Sequence, residues 1–257
     1  MTKIPAKFVP GKFSIASWPA WIQMIVACFA GSLFGGYAAS TTAISKQEEM
    51  LNRQMLVDSM DHFIQLGGEI IRQPGVVTED GVPAVRRLGF YAIDDREDLQ
   101  KAIFCGGTLP GVKEIDFAPI GINSVGRGLM DGTVLRVVAR NFPELEYLDV
   151  SHCRVQDLAA IQNMTKLRTL KIANNPLEYA ELQSFRRLKN VSELWLGWPD
   201  ERLDKDSLYR NPEVTKGMLK ALSEMPNLKK LHLYSVRVRE SERKMLEGVE
   251  IVNVRMK

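Results

Sequence analysis

At 257 residues the chain has room for one core-forming domain plus additional segments, and its 45% hydrophobic and 25% charged content is that of an ordinary folded protein. A formal net charge of +3, without a Lys/Arg cluster interleaved with aromatics, gives no ground for a nucleic-acid binder. The three cysteines, Cys28, Cys105 and Cys153, are far apart, odd in number and without a C-x-x-C, which argues against a zinc ribbon, a redox pair or a disulfide framework; one Cys105–Cys153 bridge is compatible with an oxidising compartment.

A basic tail, residues 1–17, precedes an apolar run. No charged residue occurs from Phe13 to Ser45, and Trp18 to Ser40 gives 23 mostly apolar residues, where a bilayer core needs about 20 in a helix. Trp18 and Trp21 at one end and Tyr37 near the other suit the two membrane interfaces. Residues 18–40 are therefore expected to be a transmembrane helix; a buried core helix and a cleaved signal peptide ending near Ser40 are the competing readings. Lys3, Lys7 and Lys12 precede the run without an acid, so the amino terminus is expected inside and the bulk of the chain on the non-cytoplasmic side. A mitochondrial inner-membrane location is the alternative. Gln23, Ala27, Gly31, Gly35 and Ala39 recur every fourth residue and lie on one stripe, where small residues admit a second helix and the amide can find a partner. Lipid and another membrane protein are the partners this implies.

Residues 41–75 are expected to form a helical stalk or linker. From Ile44 to Arg72 the sequence lacks proline and places Leu56, Met60, Phe63, Ile64, Gly67 and Ile71 on one helical face. That stripe packs on the following domain or pairs in a short coiled coil, although a sustained heptad is absent. Gly67-Gly68 and Pro74-Gly75 break the helix, and Thr78 to Gly81 reads as a loop.

Residues 76–257 are dominated by a repeat. Leu145-Glu-Tyr-Leu148-Asp-Val150-Ser-His-Cys153-Arg-Val155 fits L-x-x-L-x-L-x-x-N/C-x-L at every fixed position, and Leu167 to Leu177, with Asn175 at the turn, fits it again 22 residues later. Shorter copies begin at Val191, Leu228 and Val249, and looser ones at Val112 and Val85, with spacings of 27, 33, 22, 24, 37 and 21. The segments 128–141, 178–188 and 214–225 between them read as helical. This resembles the leucine-rich-repeat family over roughly residues 85–254. The resemblance implies an α/β solenoid with a parallel sheet on its concave face, the fixed apolar positions filling the core and the outward strand positions offering a binding surface.

In that register the outward row is Asp116, Asp149, Lys171, Trp195, His232 and Asn253. A flanking row is Glu114, Tyr147, Thr169, Glu193 and Lys230, and Ser151, Ala173, Gly197 and Tyr234 follow on the other side. Trp195, His232, Tyr234 and Tyr147 are expected to form an exposed aromatic cluster of the kind enriched in interface hot spots, unless they stack on one another. Asp116 beside Asp149 suggests acid–base work, cation binding, or solvated charge offset by Lys171. The insert Trp198 to Pro212 is polar and loop-like, and Asn163-Met-Thr and Asn190-Val-Ser are glycosylation patterns for a secretory route.

No H-E-x-x-H, G-x-S-x-G or P-loop occurs, and His62, His152 and His232 lie in different segments, so no metal or cofactor is expected. The expectation is a non-enzymatic, membrane-anchored scaffold or accessory subunit for protein partners. The alternative is a tethered hydrolase or transferase using the Asp116/Asp149 pair or His232.

Overall fold

The computed structural model describes residues 41–254, apart from 80, 91, 94, 119–130, 154, 156–157, 174, 176–182, 198–215, 235–237 and 239. The expected span 18–40, with Gln23, Ala27, Gly31, Gly35 and Ala39, lies outside the described residues, as does the insert 198–212. Among the described residues no helix is long and apolar enough to cross a membrane. The chain divides into two compact units, 1–48 and 49–257.

Unit 49–257 is organised by one eight-stranded sheet whose spatial order is the sequence order. The strands are β1 (Glu69–Val77), β2 (Pro83–Gly89), β3 (Glu114–Asp116), β4 (Tyr147–Asp149), β5 (Thr169–Lys171), β6 (Glu193–Gly197), β7 (Lys230–Tyr234) and β8 (Glu250–Val254). From β2 to β8 every pairing is parallel; β1 pairs antiparallel with β2. Strands this short persist because each places one apolar side chain in a common ladder. Leu88, Ile115, Leu148, Leu170, Leu194 and Leu231 are register partners in series, and all are fully buried. Burying one such side chain contributes about 1.5–3 kcal/mol.

The return segments form the wall behind the sheet. Helix α1 spans Thr41–Gln65, α2 Arg96–Gly107, α3 Gly132–Asn141, α4 Lys216–Ser223 and α5 Glu240–Arg243, with 3₁₀ turns at Ala159–Asn163, Gln183–Arg187 and Lys244–Leu246. The helix expected over 178–188 is a 3₁₀ turn over its described part. Helix α2 was not expected, because its sequence is too charged to announce itself. Asp95 caps α2 and Asp131 caps α3, each accepting two backbone N–H bonds, and Arg96 pairs with Asp131 to join the two caps. The turn positions behave as the repeat pattern requires. Asn175 Oδ1 accepts the Val155 N–H at 2.8 Å, and its Nδ2 donates to Val150 O at 2.8 Å and Ile172 O at 3.0 Å. Cys153 and Cys105 are both free, so the conceivable bridge is not made.

Two readings need correction. The helix expected to Arg72 ends at Gln65; Gly67 takes φ +90°, and the chain turns into β1. Gly68 is forced by contact, since a Cβ there would stand 2.2 Å from the Phe63 ring. Residues 69–77 thus pair as a hairpin with β2 rather than continuing a stalk, and the loop expected at Thr78–Gly81 is the turn between the two strands. The second correction is at β8, where Val252 rather than Asn253 stands opposite His232, a slip of one residue. Ile251, Val252 and Val254 fit either alternation, and an edge strand with one neighbour specifies its register weakly.

Helix α1 and the hairpin close one end of the core. Met60 and Phe63 are buried, Leu56 is half-buried, and Ile64 and Ile71 are exposed, so only part of the expected stripe packs inward. Phe63 meets Phe90 edge-on at 5.1 Å, and Phe90 stacks on Phe117 at 4.5 Å. Phe63→Ala should therefore destabilise the repeat unit by about 3–5 kcal/mol in urea unfolding. Ile64→Ala on the exposed side should change it by about 0.5 kcal/mol or less.

Candidate functional site

The residues flanking the buried ladder position on each strand share the opposite, outward face of the sheet. Their register is continuous: Asp116, Asp149, Lys171, Trp195 and His232 are successive partners, and so are Glu114, Tyr147, Thr169, Glu193 and Lys230. Five of the six expected outward positions thus stand in one row, Asn253 excepted.

The side chains along these rows form one connected strip. Glu114 accepts hydrogen bonds from Arg86 and Arg87, each at 2.8 Å. Arg87 lies over the Tyr147 ring at 5.0 Å. The Tyr147 hydroxyl donates to Asp149 at 3.3 Å, and Lys171 Nζ stands 3.7 Å from the same carboxylate. Lys171 also lies over two rings, Tyr147 at 5.2 Å and Trp195 at 4.5 Å. Trp195 stacks on His232, with centroids 3.7 Å apart and planes at 11°. Glu193 Oε1 accepts Trp195 Nε1–H at 3.0 Å and lies 2.8 Å from His232 Nε2. Because an ionised carboxylate only accepts, this contact assigns the proton to Nε2 and leaves Nδ1 with a bare lone pair. Nδ1 is buried without a hydrogen-bond partner.

The aromatic cluster is therefore less exposed than its sequence suggests. Trp195 is half-buried in the stack, His232 is buried, and Tyr234 sits obliquely 5.7 Å from Trp195. Tyr147 belongs to the Asp149 end and reaches Trp195 only through Lys171. Ser151, Ala173 and Gly197 are buried; a Cβ on Gly197 would stand 2.4 Å from Tyr234 Cβ, so that glycine lets Tyr234 lie across the sheet. Glu193 and Arg87 are the members that sequence reasoning undervalued. Their signal was available in principle, since each shares the outward face of its strand.

Electrostatics divide the strip. Burial, reinforced by Asp149, pushes the Asp116 carboxyl above its ordinary range, against one backbone N–H bond from Ala118 at 2.8 Å. Burial also acts to raise Glu114, but the two arginines outweigh it and hold that carboxyl low. Burial and the two nearby aspartates keep the Tyr147 phenol protonated well past its usual range. Burial lowers His232 against the opposing pull of Glu193, so the ring is neutral near pH 7. Burial raises Cys153, whose single S–H faces two carbonyls, Phe117 O at 3.3 Å and Ser151 O at 3.2 Å; its role is structural. No group of three or more metal-ligand side chains occurs among the described residues.

The family model for Leucine Rich repeats (2 copies) matches residues 143–194, the two units that carry Cys153 and Asn175 at their turns. The chain carries leucine-rich repeats. No curated protein matches the sequence significantly. Among solved structures, an internalin (inlF) from Listeria monocytogenes is similar at 16% identity and TM-score 0.38, over 64% of this chain and 46% of its own. The chain thus spans about half the length of that protein. Internalin C2 of the same organism is similar at 13% identity and TM-score 0.41, over 70% of this chain and 80% of its own. These are loose likenesses, and the fold assignment rests on the repeat pattern and the parallel register.

Asp116 supplies a test of this electrostatic description. Its folded-state pKa lies above the unfolded value, so its ionised form costs stability at neutral pH, and the cost disappears as pH falls through the folded value towards about 3.8. Asp116→Asn should raise Tm at pH 7 in calorimetry, with the advantage shrinking to nothing near pH 4.

Proposed function

We propose that this chain is a membrane-anchored protein-binding scaffold, an accessory or assembly subunit that holds a protein partner on the concave face of its repeats. The observation that carries the reading is the continuous outward strip from Glu114 to His232. It presents Tyr147 and Trp195 as partly exposed aromatics on a rigid parallel sheet, with charged side chains between them. Rigid aromatic side chains are the usual anchors of interface hot spots. A hydrolase or transferase is disfavoured. The Asp149 carboxylate is taken up by Tyr147, Lys171 and the Ser151 N–H, and His232 is covered by Trp195.

The membrane part of the proposal rests on the charge-free run 13–45 and on the small-residue stripe Ala27, Gly31, Gly35 and Ala39. On this reading the amino terminus is inside, residues 18–40 span the bilayer against another membrane protein, and the repeats lie on the far side, at a cell surface or across the mitochondrial inner membrane.

Two experiments test the proposal. Trp195→Ala should abolish capture of the native partner, because hot-spot truncation costs about 2 kcal/mol or more in binding, while loss of its stack lowers stability by only about 0.5–1.5 kcal/mol. Leu194→Ala should show the opposite order, with a stability loss of about 2–5 kcal/mol. Partner recovery that merely tracks the folded fraction in both variants would remove the concave face from the reading. For the anchor, the protein should stay with membranes after carbonate washing. Gly31→Leu or Gly35→Leu should then lower recovery of the membrane partner while Leu33→Ile leaves it unchanged. A soluble mature chain beginning near residue 40 would end this part.

A further inference from the structure

The outward face of the parallel strands has more acceptors than its own donors can satisfy. At the register positions of β2 to β8, three cations stand against five carboxylates, although the chain as a whole is basic at +3. Arg87 pairs with Glu114, Lys171 lies 3.7 Å from Asp149, and Lys230 lies 3.9 Å from Glu250. Two carboxylates remain. Glu193 is engaged by Trp195 and His232. Asp116 accepts one backbone N–H and, among the described residues, has no ion-pair partner, although it lies beside Asp149 in the register. A second, independent deficit lies on β7. His232 has a side chain 7% exposed, and Glu193 fixes its tautomer so that Nδ1 is an acceptor with no donor. The strip also shows how it treats a cation: Lys171 is seated over Tyr147 and Trp195 with a carboxylate beside it.

We propose that the concave face takes a basic segment of a partner protein, placing an arginine or lysine at Asp116 and an apolar side chain at Trp195 and Tyr234. Charge complementarity selects this occupant. A cation at Asp116 neutralises a carboxylate that has no ion-pair partner among the described residues, and an acidic segment would meet an excess of like charge. The two ends of the strip are three strand spacings apart, about 14 Å. An extended segment covers that distance in about four residues, so the basic and apolar residues of the occupant are separated by about that number. The inference rests on the concave-face reading above and adds the chemistry of the partner to it.

The test uses the full chain, detergent-solubilised, and a random-peptide phage library as the probe. Recovered peptides are synthesised and their affinities measured by fluorescence anisotropy for the wild type, Asp116→Asn and Trp195→Ala. The expected result is an Arg/Lys-bearing consensus with an apolar residue a few positions away. Its affinity should fall about tenfold or more on Asp116→Asn, as for truncation of one member of a desolvated charge pair, and on replacing the basic residue by citrulline. Asp116→Asn is expected to be at least as stable as the wild type, so the loss cannot come from unfolding. A neutral or acidic consensus, binding indifferent to Asp116, or no recovery above background overturns the inference. Peptides that need Trp195 but ignore Asp116 overturn only the basic partner and leave the concave-face reading standing. Peptides that need neither end both.

Discussion

The structure depends on one ladder of buried side chains. Leu88, Ile115, Leu148, Leu170, Leu194 and Leu231 occupy equivalent positions on successive parallel strands, each fully buried and each in register with the next. A three-residue strand has almost no stability of its own. It persists here because its middle residue is enclosed by the rungs on either side, and so no repeat can fold without its neighbours. The ladder also fixes the pleat. Once the middle residue faces the core, the residues before and after it must face out together, which is what aligns the charged and aromatic rows into a strip.

That coupling lets one face carry groups that would be costly elsewhere. Asp116 and Asp149 stand side by side because their strands are held by Ile115 and Leu148, not because the carboxylates favour each other. Lys171, the Tyr147 hydroxyl and backbone N–H groups offset part of the repulsion, and the rest remains as the raised protonation of Asp116. At the other end, Glu193 ties the indole and imidazole together and holds the stack flat. The strip is positioned by the buried ladder beneath it and by its own side-chain contacts, and preorganised presentation lowers the entropy lost on binding.

A stack of repeats exposes apolar surface at its ends, and the first end is closed by elements outside the repeat pattern. Phe63 of α1 enters against Phe90, while β1 folds back antiparallel on β2. These elements were only partly legible. The apolar spacing at Met60 and Phe63 marked a helix, but Ile71 fits the same helical stripe, and the turn at Gly67 and Gly68 with pairing to β2 places it in a strand. Helix α2 was hidden for a different reason. Its buried residues Leu99, Ala102, Ile103 and Gly106 are few and are surrounded by charge, so its place comes from the Asp95 cap and from the space behind β2 and β3.

The sequence alone determined the repeats, because their fixed apolar positions and turn residues are local, periodic and repeated often enough to set strand position and pleat from β2 to β7. It also determined which residues face outward, since strand alternation follows directly from that register. Tertiary structure decided what those residues do. Stacking of Trp195 on His232, the contact of Glu193 Oε1 with His232 and the placing of Asp116 beside Asp149 all arise between residues more than 30 positions apart, where rotamer, burial and neighbouring charge are set by packing. The register of β8 was also a tertiary decision. Its apolar residues satisfy both alternations, and only pairing with β7 selects one.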